Sequence, residues 1–156
     1  MDEQKRIINV FLDRRTVVRL NPEIDHDRAV AIFDLLEENV FDLVDGPPGP
    51  YNLHLNAEEN RLLFGVCDES DYPVSEFTLP ISNFRSIIKD YFVVCDSYYD
   101  AIKTASPSKI EAIDMGRRGL HNEGSEVLQE RLKPYVEIDF DTARRLFTLI
   151  CVLHQR

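Results

Sequence analysis

A chain of 156 residues, 44% apolar and 29% charged, has the length and composition of one soluble globular domain, 1–156, able to form a core without staples. Its formal charge of -10 excludes a surface that grips nucleic acid or anionic lipid as a whole, and leaves room only for a local basic patch. No apolar run approaches the ~20 residues that cross a bilayer, so no membrane partner is expected.

The amino end, MDEQKRIINVFLDRR, has charges on both sides of a short apolar run and no small-residue cleavage site, which does not fit a secretory signal. Residues 6–12, RIINVFL, and 15–20, RTVVRL, are rich in Ile and Val and read as strands. Asn21-Pro22 ends that run. A helix is expected from Asp25, a capping residue, to Asn39, with Ala29, Ile32, Phe33 and Leu36 on its inner face. DGPPGP, 45–50, is a turn-rich loop, too short to serve as a polyproline ligand.

Tyr51, Leu53 and Leu55 alternate with Asn52, His54 and Asn56, as in a half-buried strand that places His54 on the polar face. Turns at 58–60 and near Ser70-Asp71 separate it from RLLFGVCD, 61–68, and VSEFTLPI, 74–81, giving an antiparallel meander. A long amphipathic helix then opens at Ser82. Phe84, Ile87, Ile88, Tyr91, Phe92, Cys95, Tyr98, Tyr99 and Ile102 form its apolar stripe, which should cover the meander. The tyrosines at this spacing read as core residues whose hydroxyls reach the edge, not as a stacking platform.

After a polar stretch, 125–132 is helical, Pro134 ends it, and 135–138 suits a short edge strand. Asp139 or Asp141 caps a last helix, TARRLFTLICVL, apolar enough to be central, with Arg144 and Arg145 reaching out near its start. The expected fold is therefore α+β: an antiparallel sheet, from the N-terminal strands plus the 51–81 meander, packed against a helical C-terminal half. Cys67, Cys95 and Cys151 are odd in number, far apart and set among apolar neighbours. They read as reduced thiols of a cytoplasmic protein, and no paired spacing such as C-x-x-C points to a metal.

The polar stretch SPSKIEAIDMGRRGLHNEG, 106–124, concentrates the chemistry. Ser106 and Pro107 start a helix, whose exposed amides lie near Lys103 and Lys109. Gly116 and Gly119 bracket Arg117 and Arg118, which suggests a constrained turn carrying these and His121 outward, ahead of Asn122 and Glu123. The candidate ligand-binding residues are thus Ser106, Lys109, Arg117, Arg118, His121, Asn122 and Glu123. Phosphate-loop, dinucleotide, nucleophile-elbow and zincin patterns are absent, and the G-x-x-G at 116–119 lacks the setting of a KH loop. Self-pairing of the arginines with the chain's own carboxylates is the simpler alternative to a site.

HDRAVAIFDLLEEN (26–39), SYYDAIKTASPSKIEAIDMGRRGLHNEGSEVLQERL (97–132) and IDFDTARRLFTLICVLH (138–154) resemble the alphaproteobacterial uncharacterised protein family 0262, over nearly the full length. The resemblance implies a small cytoplasmic bacterial protein. It carries over no activity, cofactor or catalytic residue. Three functions fit the residues. The first is a non-enzymatic binding or regulatory protein whose 106–124 surface meets a small anionic ligand or a protein partner. The second is a small enzyme acting on a phosphorylated or carboxylated metabolite through His121 with Arg117 and Arg118. The third is an RNA-contacting protein using Lys103, Lys109, Arg117 and Arg118.

Overall fold

The computed structural model describes residues 3–12 and 22–154, the side chains of 22–24 excepted. The strand expected at 15–20 lies outside these residues. Strand β1, Ile7–Leu12, leads to helix α1, Pro22–Glu37. A proline suits the first helical turn, where its missing N–H leaves no bond unmade. Asp25 therefore lies inside the helix instead of capping it, and its carboxylate accepts from Arg28 Nη2 at 2.7 Å. The inner face of α1 also differs from expectation. Ala31 and Leu35 are buried, whereas Ala29 and Phe33 are exposed. The cause is the buried Asn39 just beyond the helix, which fixes its roll. Its Oδ1 accepts from Ile7 N at 2.7 Å, and its Nδ2 donates to Ile7 O at 2.9 Å and Leu35 O at 2.7 Å. One side chain thus closes the backbone bonds of a strand start and a helix end.

Next comes β2, Phe41–Leu43, a strand that periodicity did not reveal. The 45–50 loop follows as expected, with Tyr51 Oη donating to Pro47 O at 2.7 Å. The meander is β3, Tyr51–Glu58, β4, Arg61–Cys67, and β5, Pro73–Pro80. Both of its pairings are antiparallel, with Leu55 opposite Phe64 and Phe64 opposite Phe77. The sheet order is β1-β3-β4-β5, but β1 runs parallel to β3. The sheet is mixed, not purely antiparallel. The reason is the crossover through α1, the long connection that a parallel pair requires and a tight hairpin cannot provide.

A single 3₁₀ turn, Ile81–Asn83, precedes α2, Arg85–Thr104, so the helix opens after the buried Phe84 and not at Ser82. Ala105 and Ser106 join α2 to α3, Pro107–Leu132, as a helical hairpin. The α2 stripe packs mainly against α3. The expectation that it covers the meander is corrected: α4, Phe140–Leu153, crosses β3 and supplies the central layer. Asp139 caps α4, its Oδ1 accepting from Thr142 N at 2.9 Å. Leu146, Phe147, Leu149 and Ile150 are all fully buried, in one core with Leu53, Phe64, Leu128 and Leu132. That accounts for the almost uninterrupted apolar run of α4. Short β6, Val136–Ile138, pairs antiparallel with β2 in a separate two-stranded ribbon. The result is an α+β fold in which α1 and α3 both flank α4.

Candidate functional site

The stretch at 106–124 is not a turn. Helix α3 runs unbroken for 26 residues, and no described glycine has a positive φ. Local glycine content suggested a bend, but packing further along requires a straight helix. Gly124 is buried with its Cα against the Phe147 ring, so close that a Cβ there would overlap it. Ser125, also buried, donates to His121 O at 2.7 Å. These small residues let α3 meet α4 closely. Gly116 and Gly119 instead face open space.

The helical path places Asp114, Arg117, Arg118 and His121 on one face, at successive three- and four-residue steps. Ser106 caps the helix as expected, accepting from Lys109 N at 3.4 Å. It lies ~22 Å from His121 along a helix rising 1.5 Å per residue. Ser106, Lys109, Asn122 and Glu123 are all exposed and stand outside the concavity formed by the other three. The structure therefore divides the seven candidates: Arg117, Arg118 and His121 come together, and the other four do not.

The concavity is a cleft of about 380 Å³ between α1, α3 and α4. Asp27, Val30, Ala31 and Asp34 form the α1 wall, with His26 at its end. Asp141, Arg144, Arg145 and Thr148 come from α4, and Tyr91 from α2. The arginine pair of α4 was visible in the sequence as outward-reaching. Its convergence with Arg117 and Arg118 was not.

The state of each charged group is set by its neighbours. Arg117 Nε and Nη2 donate to Asp114 Oδ1 at 3.1 and 2.5 Å, and its guanidinium lies 4.3 Å from the centre of the Tyr98 ring. Arg118 Nη2 donates to Asp114 Oδ2 at 2.6 Å while the rest of its side chain stays in solvent. These two bonds, that from Arg117 foremost, hold the Asp114 carboxyl below its ordinary range. Arg145 Nη1 donates to Glu38 O at 2.9 Å. The exposed Arg144 guanidinium makes no hydrogen bond or ion pair with the described residues.

His121 is packed between Tyr91 and Phe147, at ring-centre distances of 5.5 and 5.2 Å. Its Nε2 lies 2.7 Å from Thr148 Oγ1. That hydroxyl spends its proton on Arg144 O at 3.2 Å, so it accepts from a protonated Nε2. Nδ1 then carries the lone pair, buried and without a partner among the described residues. Burial first, then the nearby Arg144 and Arg117 charges, pushes the imidazole down to about 4. At neutral pH His121 is an uncharged, inward-set ring. An acid–base role would call for a carboxylate in hydrogen-bond reach of it, and its partner is a hydroxyl. Tyr99 Oη donates to Asp27 Oδ2 at 3.1 Å across the cleft's edge, as expected of a tyrosine whose hydroxyl reaches out.

Fold and cleft together define an α+β protein with a charged interhelical concavity, and no described helix is long and apolar enough to cross a membrane. Over residues 4–156 the chain matches the Uncharacterised protein family (UPF0262), and it belongs to that family. It is 57% identical over 155 residues to the UPF0262 protein of Bradyrhizobium sp. (strain ORS 278), covering 98% of this chain and 92% of the relative. It is 56% identical over 153 residues to that of Rhodopseudomonas palustris (strain BisB18), covering 98% and 94%. With that of Rhizobium meliloti (strain 1021) the identity is 53% over 155 residues, covering 99% and 98%. No solved structure matches it. These names carry no activity.

Proposed function

We propose that this is a non-enzymatic, cytoplasmic binding protein that holds a small anionic group, a carboxylate or a phosphate, in the α1–α3–α4 cleft. The observation that carries this reading is the pair Arg118 and Arg144. They come from different helices, line the same concavity, and keep guanidinium donors unspent on the described residues. In a chain of net charge -10, the unpaired Arg144 and the donors that Arg118 keeps beyond its bond to Asp114 suit an incoming anion in a concave site. The facing acidic wall, Asp27 and Asp34, limits how much negative charge the ligand brings and disfavours an extended RNA backbone. The neutral His121 supports binding over catalysis, because its protonation lies far from neutrality. Three buried free thiols support a reducing compartment.

Calorimetric titration with inorganic phosphate and with succinate at low salt tests the proposal. Saturable binding of one of them is expected, weakened ~10–100-fold by Arg144→Ala or Arg118→Ala, since a charge-assisted bond contributes ~1.5–3 kcal/mol. Lys109→Ala, on the distant end of α3, should leave it unchanged. Absence of saturable binding, or affinity unchanged from the unsubstituted protein in both arginine variants, overturns the reading.

A further inference from the structure

The face of the sheet turned away from the core residues Leu53, Leu55 and Phe64 gathers three unlike side chains. His54 comes from β3, Cys67 from the end of β4, and Asp71 from the β4–β5 turn. One ligand-capable atom from each, the His54 ring nitrogen, Cys67 Sγ and an Asp71 carboxylate oxygen, lies within 4.8 Å of the other two. We propose that His54, Cys67 and Asp71 bind a divalent transition ion of borderline softness, zinc foremost, with a fourth position open to solvent.

Register brings them together. Asn52 pairs with Cys67 and His54 with Gly65, so residues of alternate parity on β3 and β4 share one face. Gly65 opposite His54 leaves the imidazole uncrowded, and Phe11 stacks on it at a ring-centre distance of 4.7 Å. His54 Nε2 already lies 2.8 Å from Asp71 Oδ1. Asn52 Nδ2 donates to the same oxygen at 3.2 Å, and Asn52 Oδ1 accepts from Asn9 Nδ2 at 3.0 Å. The carboxylate is thereby aimed by a buried amide that is itself held, the arrangement by which outer partners orient metal ligands.

Size and charge both fit. Metal–ligand bonds of ~2.0–2.3 Å in a tetrahedral site set donor atoms ~3.3–3.8 Å apart. The trio's atoms, 2.8 Å apart at the His54–Asp71 pair and within 4.8 Å of one another throughout, bracket that spacing. A thiolate and a carboxylate neutralise a divalent cation, and imidazole with thiolate selects zinc or cobalt over magnesium or calcium. On binding, Cys67 gives its thiol proton to solvent, and His54 carries its remaining proton on Nδ1. His54 and Asp71 are half-exposed, so ion and water have a path in, while Cys67 is covered. Three protein ligands and an open position describe a site that accepts an exogenous donor rather than a closed structural one.

The test is titration of the chelator-treated full chain with Co²⁺, followed by absorption. One equivalent should produce a thiolate-to-cobalt charge-transfer band with intensified tetrahedral d–d bands, and Zn²⁺ should displace both. Cys67→Ser should abolish the charge-transfer band although Cys95 and Cys151 remain. His54→Gln and Asp71→Asn, both at exposed positions, should weaken Co²⁺ binding at least tenfold while circular dichroism stays native. Cys67→Ala serves if the serine variant fails to fold. No charge-transfer band in the wild type, its survival without Cys67, or unchanged affinity in both exposed variants overturns the proposal.

Discussion

Replacing Gly116 and Gly119 by alanine discriminates between the two conformations that residues 106–124 present on paper. In a turn with positive φ, alanine is strained and the protein loses stability. In α3 both positions are helical with negative φ, and a Cβ at either meets nothing within 4 Å. No packing term then opposes the helix-propensity gain of ~0.8–1.0 kcal/mol per site. The double variant should gain ~1.5–2 kcal/mol, a rise in Tm of roughly 3–8 °C for a domain of this length. Gly124→Ala is the built-in contrast. The same propensity gain is met by overlap of the new Cβ with the Phe147 ring, on a fully buried residue of α4. Overpacking costs ~1–3 kcal/mol, at the upper end where the neighbour is a locked aromatic, so this variant should lose about 2 kcal/mol net. Urea denaturation with thermal melts reads all three. A Tm lowered by Gly116→Ala or Gly119→Ala, or raised by Gly124→Ala, refutes the helical account of this stretch.

Asn39→Ala should cost ~2–4 kcal/mol in urea denaturation, because it strands the Ile7 N–H and carbonyl in a site 3% exposed. His121, with a folded value near 4 against an ordinary 6.5, takes up its proton only in the unfolded chain across that interval. Its contribution is therefore complete above about pH 6.5 and lost as pH falls towards 4, about 3 kcal/mol in all. His154, also pushed down chiefly by burial, adds the same sign, so His121→Gln should flatten the acid limb of the stability curve without abolishing it.

What the sequence disclosed, and what it hid, follows from the range of the interactions involved. The central helix α4 was legible because burial from Leu146 onward leaves its mark on nearly every position, and the Asp139 cap is a signal three residues long. The meander was legible because alternation and turn residues are local. The parallel entry of β1 was not, since it depends on a crossover through α1, and three-residue β2 was missed because it exists only by pairing with β6, the edge strand that 135–138 did announce. The roll of α1 was misjudged for a similar reason: its apolar residues allow several faces, and the choice is made by Asn39 bonding to β1.

The cleft shows the same division within one site. Arg117, Arg118 and His121 could be picked out by residue type, yet their roles were assigned from an assumed bend. Once α3 is straight, the one-turn spacing that gathers them also brings Asp114 beneath both arginines, and Thr148 of α4 meets His121. The positive charge of α3 is largely answered within α3, whereas that of Arg144 is answered by no described residue. Removing the acid should therefore act on ligands through Arg117 and Arg118, leaving Arg144 as it was. Asp114→Asn frees both guanidinium groups towards the cleft and should tighten phosphate or succinate binding several-fold, where a purely structural Asp114 would leave affinity unchanged. Unaltered affinity in a natively folded Asp114→Asn protein would place the anion away from α3 and reduce the site to the amino end of α4.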